Sequence, residues 1–276
     1  MSTILSSPST AATPAPEQSR RSVERLLAPL DELAAQSKNF LSRSFGEFES
    51  DGQSYRLPRY VYLGPKGGGD TLRLGIFATI HGDEPEGALG LQRFIERLER
   101  EPEIAKGYAL FLYPVCNPTG FEDATRCSRA GRDLNREFWR GTDQSEVRFL
   151  ETEIWTHAFH GIVTLHSDDT SDGLYGFVNG AVLSENLLEP ALREAARFLP
   201  RNSQPTIDGF PAQRGIITEG YEGVLRAVPG LTPPPFEITF ETPQREPLHR
   251  QVEANAAALE TILVEFRYLQ AIAQNI

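Results

Sequence analysis

The segment TLRLGIFATIHGDEPEG, residues 71–87, decides the fold of this 276-residue chain. Its first ten residues are mostly apolar, include β-branched and aromatic side chains, and follow the glycine-rich turn KGGGD, which is typical of a buried strand. A short polar turn leads from this strand into a helix. The apolar side chains of that helix recur on one face: Ala88, Leu91, Ile95 and Leu98. A buried strand that runs directly into such a helix predicts an α/β protein.

The alternation of strands and helices continues along the chain. Further strands are predicted at residues 108–115, 161–166, 174–180 and 236–241, and helices at 23–35, 145–159, 184–199 and 246–273. The Pro- and Gly-rich segment 200–235 is predicted to contain little regular structure. We therefore predict one α/β domain over residues 21–276, with a mixed, mostly parallel sheet flanked by helices. Residues 1–20, rich in Ser, Thr, Pro and Ala, are predicted to be a disordered tail.

Composition and charge narrow the classes of function. The chain has 27 Lys and Arg against 38 Asp and Glu, a formal net charge of −11. Such an acidic protein is predicted to bind neither nucleic acid nor a membrane surface, and no apolar run reaches the roughly 18–20 residues that span a bilayer. Two cysteines, Cys116 and Cys127, are too few for a disulfide framework, which favours a cytoplasmic location. The sequence does not specify an oligomeric state.

Polar residues stand at the ends of four predicted strands. They are His81, Asn117, His166 and Glu241. Because functional groups gather at the carboxyl edge of α/β sheets, we expect these residues to lie near one site.

Three residues have the chemistry of a metal site. His81 and Glu84 lie three residues apart in a strand-to-helix turn, so both side chains can point to one place, and His166 ends another strand. Two imidazoles and one carboxylate are a ligand set of catalytic zinc, which keeps its fourth position for water. The predicted cofactor is one Zn²⁺ per chain.

Five features follow one another along the chain in a specific order. They are HGDEPEG (81–87), NPTGF (117–121), RDLNREFW (132–139), the strand-ending His166 and TFET (239–242). Their order and spacing resemble the zinc metallocarboxypeptidase family. The resemblance is closest to the compact branch that contains succinylglutamate desuccinylase, aspartoacylase and murein-peptide amidase, and it covers residues from about 55 to 265.

The resemblance implies roles around the metal. His81, Glu84 and His166 match the three zinc ligands of the family. Asp133 matches a carboxylate that orients the first zinc histidine, and a metal-bound imidazole does need an acceptor at its other nitrogen. A departure from the family pattern is Thr164, which stands where the family often has an aspartate.

The resemblance also implies how substrate is held. Asn135 and Arg136 match the pair that binds the substrate's terminal carboxylate, a task that suits the planar fork of arginine. Arg126 matches the arginine that stabilises the oxyanion, although Arg129 and Arg132 lie in the same loop. Tyr221 is the residue we assign to the expected pocket tyrosine.

Glu241 matches the family's general base, which takes a proton from the attacking water and later gives it to the leaving amine. Glu237 is the competing assignment, because residues 237, 239 and 241 share one face of an extended strand and periodicity alone does not choose between them. The position at the end of the strand, before Thr242, favours Glu241.

The predicted function is zinc-dependent hydrolysis of an amide bond next to a free carboxylate. A carboxypeptidase or amidase acting on short peptides is favoured, because the glycine-containing segment 210–223 resembles the pocket loop of the peptide branch. One alternative is a small-molecule deacylase of N-acyl amino acids. A second alternative, from another class of protein, is a non-catalytic zinc-binding domain that serves as an interaction module.

Overall fold

A computed structural model describes residues 21–180 and 184–273 of the chain. The predicted tail, residues 1–20, lies outside the described residues. The predicted fold class is confirmed: the described part is a single α/β domain whose mixed sheet is mostly parallel. No helix in this part combines the length and apolarity needed to cross a membrane.

The elements follow in this order along the chain. The helices are α1 (Val23–Gln36), α2 (Glu86–Arg100), α3 (Pro118–Asp123), α4 (Ser145–His157), α5 (Ser184–Ala195) and α6 (Leu248–Ala273). The strands are β1 (Phe40–Ser50), β2 (Gln53–Leu63), β3 (Leu72–Ala78), β4 (Tyr108–Tyr113), β5 (Gly161–Asp168), β6 (Tyr175–Gly180), β7 (Thr206–Ile207), β8 (Phe210–Pro211), β9 (Ile216–Ile217) and β10 (Phe236–Pro243).

The main sheet has the strand order β1-β2-β4-β3-β5-β10-β6-β9. Its centre, β4-β3-β5-β10, is parallel throughout, whereas β2 joins β4 and β6 joins β10 in antiparallel pairs. The four parallel strands end at the same edge of the sheet. This edge is therefore where the chain can bring together groups from distant parts of the sequence.

Alternating side chains of the central strands enter two cores on opposite faces of the sheet. Ile76 belongs to a large cluster with α1, α2, α5 and α6, whereas its neighbour Phe77 belongs to a smaller cluster with α4 and residues 225–227. Both faces of the centre are thus covered, which explains why these strands read as continuous apolar runs in the sequence.

The hairpin β1–β2 was not among the predicted elements. It turns at Asp51 and Gly52, whose φ angles are +50° and +74°, and Ser50 pairs directly with Gln53. An Asp-Gly pair with positive φ at both positions is the two-residue turn that matches the twist of antiparallel strands. The dipeptide was therefore the sequence signal for this hairpin.

Several predicted boundaries are wrong by a few residues. Helix α4 ends at His157 rather than at 159, because Ala158 adopts a left-handed conformation with φ +44° and donates its N–H to the carbonyl of Ile154. Helix α5 ends at Ala195 rather than 199. Strand β10 extends to Pro243, where it is still paired with Asp168 of β5.

Candidate active site

The turn that carries His81 is held by Asn117 and by close backbone packing. The Asn117 amide donates to the carbonyls of Ile80 (3.3 Å) and Arg126 (3.4 Å), and its oxygen accepts from the N–H of Gly120 (2.9 Å). A Cβ on Gly82 would lie 1.9 Å from the carbonyl carbon of Gly120, so only glycine fits between His81 and Asp83. Asn117 therefore lies behind the site and braces it, rather than lining it.

His81, Glu84 and His166 converge in the interior of the protein. Nδ1 of His81 lies 2.7 Å from one oxygen of Glu84, and Nδ1 of His166 lies 2.9 Å from the other. All three residues are at most 6% exposed, and one ligand atom from each can be chosen so that all lie within 4.8 Å of one another. The arrangement can hold a metal ion.

The electrostatics of the three groups favour a cation. Burial opposes ionisation of Glu84, but the two imidazoles outweigh it and hold the pKa of this carboxyl well below its ordinary value. Burial lowers the pKa of His166, so this ring tends to be neutral and able to ligate. For His81, burial acts in the same sense, but Glu84 and Asp133 raise its pKa overall. A buried carboxylate between two imidazoles is the donor set that a divalent transition metal prefers.

Asp133 lies on the far side of His81 and also contacts Arg126. Its Oδ1 is 3.3 Å from Nε2 of His81, and its Oδ2 accepts from Nε of Arg126 at 3.1 Å. Burial disfavours its charge, but His81 and Arg126 lower the pKa of Asp133 overall. This places Asp133 where it can fix the His81 ring and leave Nδ1 for a metal.

Of the three arginines in this loop, Arg126 lines the cavity at the site. One of its terminal nitrogens is 3.8 Å from Glu84. Arg129 instead pairs with Asp123 (2.7 Å), and Arg132 pairs with Glu137 (3.2 Å), so both are directed elsewhere. Arg126 is therefore the arginine of this loop that could contact a ligand in the cavity.

Asn135 and Arg136 are positioned side by side on the cavity wall. The side-chain oxygen of Asn135 accepts from the N–H of Leu225 at 2.8 Å. The NH₂ group of the same side chain is therefore left to donate to other partners. The Arg136 guanidinium donates to the carbonyl of Asn135 (2.8 Å) and lies 4.2 Å above the Tyr221 ring. Tyr221 is held in turn by Asp208, to which its hydroxyl donates at 3.0 Å. Donors and a planar cation together suit a carboxylate.

Glu241 lies in β10 opposite His166 of β5 and Tyr175 of β6. It is 9% exposed, lines the cavity, and has no hydrogen-bond partner within residues 21–180 and 184–273. Burial, together with the nearby carboxylates of Glu84 and Asp168, raises its pKa well above the ordinary value. A carboxyl group without a hydrogen-bond partner in the described residues, beside a cluster that could hold a metal ion, could exchange a proton with a ligand in the cavity.

Glu237 occupies the same face of β10 but is engaged differently. It accepts from the N–H of Ala227 at 2.8 Å and is hydrogen-bonded to the side chain of Asn179. It lies four residues before Glu241, about 13 Å away along the strand. Thr164, at the position of the missing aspartate, donates to Thr239 at 2.8 Å.

One cavity of about 660 Å³ is lined by the three clustered residues together with Arg126, Asn135, Arg136, Tyr221, Glu237 and Glu241, and its lining is rich in carboxyl groups. Its lining contains nine carboxyl side chains, Asp83, Glu84, Asp168, Asp169, Asp208, Glu219, Glu222, Glu237 and Glu241, against three arginines, Arg126, Arg136 and Arg226. Asp168 and Asp208 were not predicted as site residues. The run Ser167–Asp169 directly after His166 was a signal for the first, whereas Asp208 lies in a segment with no recognisable motif.

We expect one zinc ion per chain, and we expect His81→Ala or His166→Ala to lose most of it. The two remaining side chains cannot hold a structured zinc site. Elemental analysis of the purified proteins measures this, with His249→Ala as control, since His249 is exposed and outside the cluster. Full zinc in both ligand variants would show that the metal is bound elsewhere.

The family resemblance is confirmed by a match to a family model. Residues 70–202 match the model described as succinylglutamate desuccinylase/aspartoacylase catalytic domain. This range contains the three clustered residues and the loop from Asn117 to Arg136, whereas Glu241 lies beyond it. No curated protein matched the sequence.

Solved structures with the same fold come from several bacteria. A protein from Shewanella denitrificans OS217, named as a candidate metallopeptidase, has a TM-score of 0.71 and 23% identity over 87% of this chain and 89% of that one. A metallo-carboxypeptidase from Pseudomonas aeruginosa, in complex with (2-guanidinoethylmercapto)succinic acid, has a TM-score of 0.66 and 22% identity over 89% and 69%. A succinylglutamate desuccinylase from Silicibacter sp. TM1040 has a TM-score of 0.56 and 18% identity over 84% and 68%.

Proposed function

We propose, from the match of residues 70–202 to the model of the succinylglutamate desuccinylase/aspartoacylase catalytic domain, that this protein is a zinc-dependent hydrolase of short peptides. It cleaves an amide bond next to a free carboxylate. His81, Glu84 and His166 hold the zinc, and the fit rests on the two Nδ1 atoms that converge on one buried carboxylate. When bound, zinc polarises the scissile carbonyl and lowers the pKa of water towards neutrality.

Each of the other side chains has its own role in the proposed reaction. Glu241 takes the proton of the attacking water and passes it to the leaving amine. It is suited to this role because no hydrogen bond from the described residues occupies its carboxyl group. Arg126, fixed by Asp133, lies where it can stabilise the oxyanion that develops on the carbonyl. Asn135 and Arg136 hold the carboxylate of the leaving residue.

The acidity of the cavity is the observation that favours peptides over N-acyl acidic amino acids. Nine carboxyl side chains line the cavity against three arginines, so the lining offers more partners for a cationic group of a substrate than for an anionic one. A small N-acyl acidic amino acid carries two or more carboxylates and no amine, so it cannot use these carboxyl partners. A short peptide brings an ammonium group together with its single terminal carboxylate.

The main alternative is a deacylase of N-acyl amino acids. The family name and the Silicibacter neighbour favour it. A non-catalytic zinc-binding domain is less well supported, because such a domain has no need for Arg126 and Glu241 to line the same cavity as the metal cluster.

The proposal predicts that a peptide is cleaved faster than an N-acylated acidic amino acid. Zinc-loaded protein is assayed with a set of free dipeptides and tripeptides, N-succinylglutamate and N-acetylaspartate, and release of free amine is measured. We expect kcat/KM for the best peptide to exceed that for either acyl amino acid by at least about 10-fold, the effect of one unfavourable charge contact of roughly 1.4 kcal/mol. Faster release from an acyl amino acid would support the deacylase instead.

The proposed partner is a small peptide or N-acyl amino acid substrate, with no nucleic acid and no membrane. A cytoplasmic location is part of the proposal. It rests on the low cysteine content and is consistent with Cys116 and Cys127 both being free thiols.

A further inference from the structure

Gln251 is a buried polar side chain that the proposed reaction does not use. It lies in the first turn of α6, is 1% exposed and does not line the cavity. Its amide nitrogen donates to the carbonyls of Gln244 (3.1 Å) and Glu246 (2.7 Å), and its amide oxygen accepts from the Thr242 hydroxyl at 2.9 Å. Both amide hydrogens and the oxygen therefore have partners, and breaking any of these bonds leaves a buried polar group unpaired.

The two carbonyls fix the orientation of the Gln251 amide. If the amide were turned by 180°, its oxygen would face both carbonyls and neither would have a donor. The oxygen therefore faces Thr242, and the single proton of the Thr242 hydroxyl goes to it. Because every bond in this network has one possible direction, the network holds residues 242–246 in one arrangement on α6.

Thr242 connects Gln251 to the proposed base and to a proposed metal ligand. It directly follows Glu241 in β10 and is fully buried. Glu241 is paired with His166 of β5, and the Thr242 hydroxyl lies 3.3 Å from the carbonyl oxygen of His166. A displacement of Thr242 therefore moves Glu241 relative to His166.

Gln244 connects Gln251 to the turn that carries the other two proposed ligands. The Gln244 side chain donates to the carbonyl of Asp83, the residue before Glu84, at 3.2 Å. Its backbone N–H donates to the carbonyl of Asp168, at the end of β5, at 2.9 Å. The segment that Gln251 holds thus contacts the metal turn and β5, and it continues the strand that carries the base.

We propose that Gln251 is a positioning residue that, through Thr242 and Gln244, sets the position of Glu241 relative to the metal cluster. The inference rests on the proposed function, since it takes the three clustered residues as metal ligands and Glu241 as the base. A base must lie within hydrogen-bond reach of the proton that it takes, and a misplacement of about 1 Å can lower a rate about 10²-fold. Gln251 lies beyond residues 70–202, which match the family model.

The competing explanation is that Gln251 only stabilises the fold. Gln251→Met has nearly the same length and removes all three hydrogen bonds. Thr242→Val removes one of them from the other side, whereas Thr242→Ser keeps the hydroxyl. The matched control is Asn255→Leu, one turn further along α6: Asn255 is also fully buried, but its amide has no hydrogen-bond partner among the residues that the structure describes.

The experiment measures the zinc dissociation constant by competition with a chelator, kcat and KM at saturating zinc, and the melting temperature. We expect Gln251→Met and Thr242→Val to raise the zinc dissociation constant about 10-fold, as loss of a group that orients metal ligands does. They should lower kcat about 10- to 100-fold because the base is displaced. KM should change little, since neither Asn135 nor Arg136 is bonded to this network. Thr242→Ser and Asn255→Leu should keep the wild-type values.

A purely structural role gives a different result. If Gln251→Met and Thr242→Val melt at lower temperatures but keep the wild-type zinc dissociation constant or the wild-type kcat, the inference is overturned. An equal change in Asn255→Leu would also overturn it. If Gln251→Met does not fold, the comparison of Thr242→Val with Thr242→Ser decides.

Failure of the proposed function remains distinguishable from failure of this inference. If even the wild-type protein cleaves no peptide, the proposed function fails, and the zinc dissociation constants alone test the network. A rise in Gln251→Met and Thr242→Val, without a rise in Thr242→Ser or Asn255→Leu, then supports it. Equal zinc affinity in all four variants would show that Gln251 does not position the metal cluster.

Discussion

Replacing Glu241 with glutamine is expected to lower kcat on a good peptide substrate by about 10²–10⁴-fold, the usual contribution of a positioned acid–base group. Glutamine has nearly the same shape but cannot accept the proton of the attacking water. Because Glu241 has no hydrogen-bond partner in the described part of the chain, the substitution breaks no contact that holds the fold. Zinc content and melting temperature should therefore stay close to the wild-type values. Steady-state kinetics, elemental analysis and thermal unfolding measure the three quantities.

The matched control is Glu237→Gln, assayed on the same peptide substrate, because glutamine keeps the oxygen that accepts from the N–H of Ala227. Both side chains lie on the same face of β10, and both changes replace a carboxyl group of the cavity with an amide. We expect the control to change kcat less than about 3-fold, since Glu237 is about 13 Å from the metal end. A larger loss for Glu237→Gln than for Glu241→Gln would mean that the base has been assigned to the wrong carboxylate.

The central strands could be predicted because their burial is encoded locally. Strands covered on both faces require continuous apolar runs such as LRLGIFA, and this pattern is visible without any partner. The hairpin β1–β2 lies at one edge of the sheet and alternates irregularly between buried and exposed side chains. Its periodicity is therefore weak, and its Asp51–Gly52 turn was the stronger signal. Helix ends such as Ala158 depend on backbone conformation that no side chain specifies.

The candidate site likewise contains residues that the sequence could predict and residues that it could not. The residues predicted for the metal cluster follow strands or lie in short motifs, so their relative positions follow from the topology of a parallel sheet. Arg226 and Asp208 reach the cavity from the irregular segment between α5 and β10, where the path of the chain is set by contacts such as Leu225 with Asn135. This contact joins residues 90 positions apart, and no local feature of the sequence indicates it.

Amidating the terminal carboxylate of a good peptide substrate is expected to lower kcat/KM by roughly 30- to several thousand-fold, which corresponds to about 2–5 kcal/mol for a charge left without its partner in a desolvated site. Arg136 is half-buried, packs on the Tyr221 ring and donates to the carbonyl of Asn135. When the amidated substrate is bound, no substrate carboxylate is present to balance the charge of the Arg136 guanidinium. Arg136→Lys should also be poor, because an ammonium group cannot reproduce the two parallel hydrogen bonds of a guanidinium.

The alternative is that Arg136 only braces its loop through Asp133 or Glu137. In the structure, however, Glu137 forms an ion pair with Arg132 at 3.2 Å, and Arg136 lines the cavity. The two explanations predict different ratios of kcat/KM for the free peptide to kcat/KM for the amidated peptide. This ratio does not depend on overall activity. If Arg136 binds the carboxylate, the preference for the free over the amidated peptide should be large in the wild-type protein and should fall towards 1 in Arg136→Ala. If Arg136 is a brace, the variant should lower the melting temperature and both rates together, and the preference should be unchanged.

Arg197→Ala, at an exposed position outside the cavity, controls for loss of an arginine. Equal rates for the free and amidated peptides in the wild-type protein would remove Arg136 from the site, because a half-buried guanidinium that binds a carboxylate cannot be indifferent to its charge.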